Sequence, residues 1–360
     1  MCRKFIYPIL FVAFVFSSMA MASDIAFYVG QWNTDGWYST QQFDDVDTII
    51  DQTGHMFNDV QQFDDTQAAE AATWIDENTN DDEMDIIWLN GCTPSVLYQF
   101  PNADPDGSRA ELWLDGGNMI INVADWFAYC SWEGGTRQPD NGPSGAGNIL
   151  DLATGIIAGS PQGAMAVTAT GTTYLPSLNE VTSDRPLQLS AVVGDWEVAA
   201  IFAQNAAGTY ADPVVIHNTV TEGYFAIINQ ASTGNWIADR GLTCAEFIGN
   251  WASDLISQPF ASVLNPDDGA EDVSVDTNLT WKRGEGADFD KVYFGTESPP
   301  PFVASISPPS PALYEPGDPN LIASTTYYWQ IVEVNDAVEY PAPIWSFSTV
   351  SGKSSIVFPA

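Results

Sequence analysis

Reactive side chains are scarce in this chain of 360 residues. It holds two histidines, His55 and His217, and beyond Cys2 three cysteines, Cys92, Cys130 and Cys244. A thiol or hydroxyl needs a neighbouring base to attack near neutral pH. His217 is the candidate base, because it closes the apolar run Pro213-Val-Val-Ile-His217; Glu222 is the nearest acid downstream. Asp125 follows the apolar run Asn118-Met-Ile-Ile-Asn-Val123 and is a candidate nucleophile or base. Cys92 follows another such run, Asp85-Ile-Ile-Trp-Leu-Asn-Gly91. Ligands of open α/β sheets bind beyond the carboxyl ends of the strands, so Cys92, Asp125 and His217 are candidates for one shared crevice. The plainer alternative is that Asp125 caps a helix and His217 only ends a strand.

Metal chemistry has one partial signal. Asn102-Ala-Asp104-Pro-Asp106-Gly107 matches the first half of a calcium-binding loop, which makes Asn102, Asp104 and Asp106 candidate ligands. The twelfth position is Trp113, where a bidentate glutamate is required, so the stretch also reads as an Asx-rich turn entering a helix. Asp44-Asp45-x-Asp47 and Asp81-Asp82-Glu83-x-Asp85 carry no ligand pattern and read as solvated faces. Two histidines and scattered cysteines do not make a zinc site. No phosphate loop, dinucleotide glycine pattern or G-x-S-x-G elbow is present. The expected cofactor is therefore none, with loose calcium binding as the alternative.

The elements that must position these residues follow from periodicity. Asp24–Gly30, Asp85–Gly91 and Asn118–Val123 read as buried strands. Gln41–Gln52 and Ala68–Glu77 have apolar residues at helical spacing, and Ser108–Leu114 is a helix stopped by Gly116-Gly117. That rhythm predicts a mainly parallel sheet with helices on both faces. Gly134–Gly147 is a loop, and about 131–190 reads as an insertion. Order resumes with strands at Trp196–Phe202, Pro213–His217 and Tyr224–Ile228, then an amphipathic helix over Thr243–Leu255. After the turn Asn265-Pro-Asp-Asp-Gly269, short alternating runs without helical spacing predict an antiparallel sandwich.

Composition sets the outer limits. Lys plus Arg number 10 against 47 Asp plus Glu, a formal net charge of −37. Such a surface repels nucleic acid and anionic lipid and suits high salt. Residues 1–22 read as a signal peptide: basic Arg3-Lys4, an apolar run, and Ala20-Met21-Ala22 before the cut. The reading is a secreted protein, extracellular, periplasmic or at the cell surface, with no membrane span once the leader is removed. At most one disulfide can form among Cys92, Cys130 and Cys244.

Two resemblances refine the domain plan. Residues 23–257 resemble the class I glutamine amidotransferase-like superfamily, with its trehalose-utilisation-type (ThuA-like) relatives. The carrying residues are Asp85–Pro94, Leu114-Asp-Gly-Gly-Asn-Met-Ile-Ile121, Val220–Ala226 and Arg240-Gly241 with Phe247–Trp251. The resemblance implies a flavodoxin-like, three-layer α/β fold with a cysteine on a tight turn after the third strand and a His-x-Glu base pair. This chain reads Ala124-Asp125-Trp126 at the turn and His217-Asn218-Thr219 at the base, so neither group is in register. Residues 258–350 resemble a fibronectin type III domain, an immunoglobulin-like sandwich, through Leu279-x-Trp281, Tyr293-Phe-Gly295, Thr326–Ile331 and Trp345-Ser-Phe347. That resemblance implies a core tryptophan at Trp281 and places the tyrosine that bonds back to the chain at Tyr328. Residues 351–360 are a tail.

The expected function is a secreted, non-catalytic binding or scaffold protein whose partner is an extracellular ligand, a carbohydrate or a surface protein. The alternative is an extracellular hydrolase acting on a sugar-related substrate near Asp125, with His217 or Glu222 assisting.

Overall fold

The computed structural model describes residues 23–30, 41–81, 83–91, 93–231, 239–256, 260–284, 287–308, 310–316, 321–335 and 338–350. The leader reading at 1–22, Cys92 and the tail at 351–360 lie outside the described residues.

Strands alternate with helices through the first part: β1 (Ile25–Tyr28), α1 (Gln41–Thr53), β2 (Val60–Phe63), α2 (Ala68–Asn78), β3 (Ile86–Leu89), α3 (Arg109–Asp115) and β4 (Met119–Val123). Three further strands, β5 (Trp196–Ile201), β6 (Val214–Asn218) and β7 (Tyr224–Ile228), precede α4 (Arg240–Glu246). All seven strands form one mixed sheet, in the order β5-β6-β7-β4-β3-β1-β2. The strands β2, β1, β3, β4 and β7 are parallel. β6 runs antiparallel to β7, and β5 antiparallel to β6 with a bulge between Val198 and Ala200.

The near-continuous apolar runs of β1, β3 and β4 have a physical reason: both faces of each strand are buried. Ile25, Phe27, Ile86, Trp88, Met119 and Ile121 join one core with Val46 and Ile49 of α1 and Phe247 and Ile248 beyond α4. Their chain neighbours Ala26, Tyr28, Ile87, Leu89 and Ile120 join a second core with Trp74 and Ile75 of α2 and Trp113 and Leu114 of α3. Each large side chain buried this way contributes roughly 1.5–3 kcal/mol. The helix α3 begins in a capping box: Ser108 Oγ accepts the Glu111 N–H at 3.2 Å and the Glu111 carboxylate accepts the Ser108 N–H at 3.3 Å. Such a cap contributes about 1 kcal/mol. The Thr243–Leu255 helix expected from sequence is α-helical only to Glu246; a π turn at Phe247–Trp251 and a 3₁₀ turn at Ala252–Asp254 complete it.

Two small sheets are appended to this unit. One pairs Thr93–Pro94, Cys130–Glu133 and Thr136–Asp140; the other pairs Ala164–Val167, Val181–Thr182, Leu187–Gln188, Ala203–Asn205 and Tyr210–Ala211.

The C-terminal part holds two sheets. One contains β8 (Ser262–Asn265), β10 (Leu279–Lys282) and β13 (Leu313–Tyr314); the other contains β9 (Ala270–Val273), β16 (Trp345–Thr349), β14 (Thr326–Asn335), β11 (Phe289–Gly295) and β12 (Phe302–Ile306), with β15 (Val338–Pro341) paired to β14. Leu279, Trp281, Val292, Trp329, Ile331 and Phe347 fill the core of this part. One expectation shifts by a residue. The tyrosine that reaches back to the chain is Tyr327, whose hydroxyl accepts the Ile322 N–H at 2.9 Å. Tyr328 sits one residue further along the strand, and successive strand side chains point to opposite faces, so only Tyr327 is buried.

Candidate functional site at the carboxyl rim of the main sheet

The chain leaves β4 through a sharp bend. Ala124 has φ +69°, and the Asp125 N–H donates to the Val123 carbonyl at 2.8 Å, two residues back. This is a γ-turn of the strained sense, rare for a residue with a Cβ. Asn122 Nδ2 braces it by donating to the Asp125 carbonyl at 2.7 Å. Gly91, after β3, is required opposite: its φ is +85°, and a Cβ there would lie 2.7 Å from the Asp125 N and Cβ. The strand-end turn is therefore tight, and the residue at its apex has a methyl group for a side chain.

Asp125 caps its own turn, as its Oδ1 accepts the Trp126 N–H at 2.7 Å. The Arg185 Nε lies 3.8 Å from the same oxygen, and its guanidinium carbon sits 5.5 Å from the centre of the Trp126 ring. Trp126 packs on Tyr129 with ring centroids 4.8 Å apart. Behind this partly exposed group lies an amide network. Asn122 Nδ2 also donates to Gln230 Oε1 at 3.1 Å, and Gln230 Nε2 to the Asn122 carbonyl at 2.9 Å. The Asp212 carboxylate accepts the Asn229 N–H at 2.7 Å and the Gln230 N–H at 2.8 Å. Burial pushes Asp212 up to about 6 against those hydrogen bonds. Asn122 Oδ1 and both side-chain polar atoms of Asn229 are buried without a partner. Arg185, Asn229 and Gln230 escaped sequence reading: they lie far along the chain from Asp125 and carry no motif.

His217 is not at this rim. β6 runs against its neighbours, so its carboxyl end lies at the opposite rim. His217 pairs with Tyr224, and Tyr224 with Met119 at the start of β4. Four residues of β4, roughly 13 Å at the usual rise, separate that row from Val123. The shared crevice of Asp125 and His217 is thus not assembled, and Cys92 lies outside the described residues. What does meet is His217 and Glu222: Nε2 lies 3.0 Å from Oε2, with Glu197 Oε1 3.6 Å from Nδ1. The ring stacks on Tyr224 at 4.4 Å. The two glutamates are 63% and 71% exposed, so these are surface pairs of small strength.

Within the acidic clusters Asp44 and Asp47 are exposed, as a solvated face requires, while Asp45 and Asp85 depart from that expectation. Asp45 is buried and receives Arg240 Nε and Nη2 at 2.8 and 2.5 Å, clamping α1 to α4. Asp85 is buried at the amino rim, where its Oδ1 accepts the Asp24 N–H at 2.6 Å and its own N–H donates to Asn118 Oδ1 at 2.8 Å. Burial pushes Asp24 up to about 6 and Asp85 up to about 8.

The calcium-loop candidates do not converge. Asp104 and Asp106 are exposed. Asn102 Oδ1 accepts the Tyr98 hydroxyl at 2.9 Å, while its N–H and Nδ2 donate to Asn141 Oδ1 and O, both at 3.0 Å. Among the described residues no group of three or more His, Cys, Asp or Glu side chains could hold a metal ion. Cys244 is fully buried, and burial pushes its thiol up to about 12. No helix among the described residues is long and apolar enough to cross a membrane.

No family model matches the chain. No curated protein matches it either. Among solved structures, the one titled "Crystal Structure of FN3tt" aligns at 21% identity with a TM-score of 0.19, covering 25% of this chain and 95% of that chain.

Proposed function

We propose that this chain is a secreted binding protein, without catalysis at its main sheet, whose carboxyl rim beside Trp126 takes a carbohydrate. The observation that carries the reading is Ala124: a strained bend stands where a strand-end nucleophile would be displayed, and it displays a methyl group. The nearest histidine on the sheet serves the other rim. Trp126 offers an apolar ring, while Asp125 and Arg185 offer an acceptor and a donor beside it. An aromatic wall with a few placed polar groups suits a hydroxyl-rich ligand. We read residues 23–257 as a catalytically reduced, flavodoxin-like member of the class I glutamine amidotransferase-like superfamily, and residues 258–350 as a fibronectin type III-like module. The strand order of the main sheet and the Tyr327 hydrogen bond support those readings.

The test is a glycan array probed with the full chain, Trp126→Ala and Asp125→Ala. Binding that both substitutions weaken by tenfold or more is the expected result. A chain that binds no glycan ends the carbohydrate reading. Glycoside or amide turnover abolished by Asp125→Ala would replace it with a hydrolase.

A further inference from the structure

A cleft of about 570 Å³ opens between the α/β part and the first strands of the C-terminal part. It is reached from His55, just beyond α1, and lies away from the Ala124 bend. Phe260, Lys282 and Arg283 face it from the other side. The His55 and Phe260 rings stack at 5.6 Å with 28° between their planes.

Its charge is unusual for this chain. Among the described residues, Arg109, Arg137, Arg185, Arg240, Arg283 and Lys291 each have a carboxylate within 3.8 Å. Lys282 has none among the described residues, in a chain whose formal net charge is −37. Arg283 is held in place, with Nε donating to Asp290 Oδ2 at 2.7 Å and Nη1 to the Ser310 carbonyl at 2.7 Å. Asp254 is the acidic side chain lining the cleft. Burial holds His55 below its ordinary value, and Lys282 is the cation lining the cleft that has no carboxylate partner among the described residues. A cation left without a carboxylate in so acidic a molecule is available to an anion from outside. The volume falls in the range that encloses a small molecule.

We propose that this cleft is a second binding site, for a small ligand bearing one carboxylate or sulfate group, with Lys282 as its charged contact and the His55–Phe260 stack as its wall. It does not rest on the carbohydrate reading of the sheet rim. Two sources supply that chemistry, a sugar acid and a sulfate ester.

Calorimetric titration of the mature full chain with glucuronate, glucose 6-sulfate and glucose separates them. At least one anion is expected to bind and glucose not to. Loss of a charge-assisted contact should weaken that anion about tenfold in Lys282→Ala, and more in Lys282→Glu. Lys291→Gln should bind it as the native chain does. Lys282 is exposed, so both substitutions are expected to leave the fold intact, which circular dichroism checks. Absence of binding by both anions, equal binding of glucose, or native affinity in Lys282→Glu each overturns the proposal.

Discussion

At the carboxyl rim of the main sheet the buried polar groups are mostly neutral amides: Asn90, Asn122, Asn229 and Gln230. At the amino rim they include the carboxylates Asp24 and Asp85. The same parallel strands run between both. Amides exchange hydrogen bonds without changing charge, so these four keep one arrangement over a wide pH range. Carboxylates taken from water must hold a proton or meet a cation. The group pushed furthest, Asp85 at about 8, is at the amino rim, while Asp212 at the carboxyl rim reaches about 6. Buried carboxylates stand at the carboxyl rim as well, at Asp65, Asp184 and Asp212, and Asp212 is the exception held by two backbone N–H groups.

That exception gives the sharpest way to break the contrast. Asp212→Ala leaves the Asn229 and Gln230 N–H groups buried and unpaired, a loss of about 3–5 kcal/mol. Urea denaturation should show it at once. A loss below about 1 kcal/mol would mean the amide network stands without its carboxylate.

The amino rim should respond to pH instead. Asp85 is raised to about 8 and Asp24 to about 6, so the folded state keeps protons that the unfolded chain releases near pH 4. Stability is then favoured below about pH 4 and falls as pH rises towards 8. Asp85→Asn removes one such group. Its stability curve should fall less steeply between pH 4 and 8, by up to about 1.4 kcal/mol per pH unit. Parallel curves for the two proteins would remove the titrating role from this rim.

Two smaller expectations concern the separation of the rims. His217→Ala should shift stability by less than about 1 kcal/mol, because its glutamate partners are mostly exposed. Ala124→Cys puts a thiol on the bend with His217 at the other rim, and should show no glutamine hydrolysis in an ammonia-release assay. Hydrolysis would mean that a base reaches the bend after all.

Much of the fold was legible because burial writes itself as periodicity. The runs at Ile25–Tyr28, Ile86–Leu89 and Met119–Val123 are apolar on both faces, and α1 and α2 carry their apolar residues at helical spacing. β2 was not legible: Val60-Gln-Gln-Phe63 is an edge strand and needs no apolar run. Strand direction left no mark either. Val214–Asn218 has the composition of its parallel neighbours, yet it runs the other way and carries His217 to the wrong rim. Asp45 and Asp85 read as solvated charges because sequence shows an acid but not the Arg240 or the strand end that buries it. The end of the strand before Ala124 was legible, but the positive φ of Ala124 was not.

The bulge in β5 bears on how this protein behaves among copies of itself. β5 is the outermost strand on its side, and an open strand edge can recruit another chain by backbone pairing. The slip between Val198 and Ala200 breaks the even row of N–H and C=O groups, and bulges twist a strand out of line. A second molecule approaching there would find no continuous ladder to extend, so growth of fibres from this side is discouraged by backbone shape, independently of how much salt screens the surface charge.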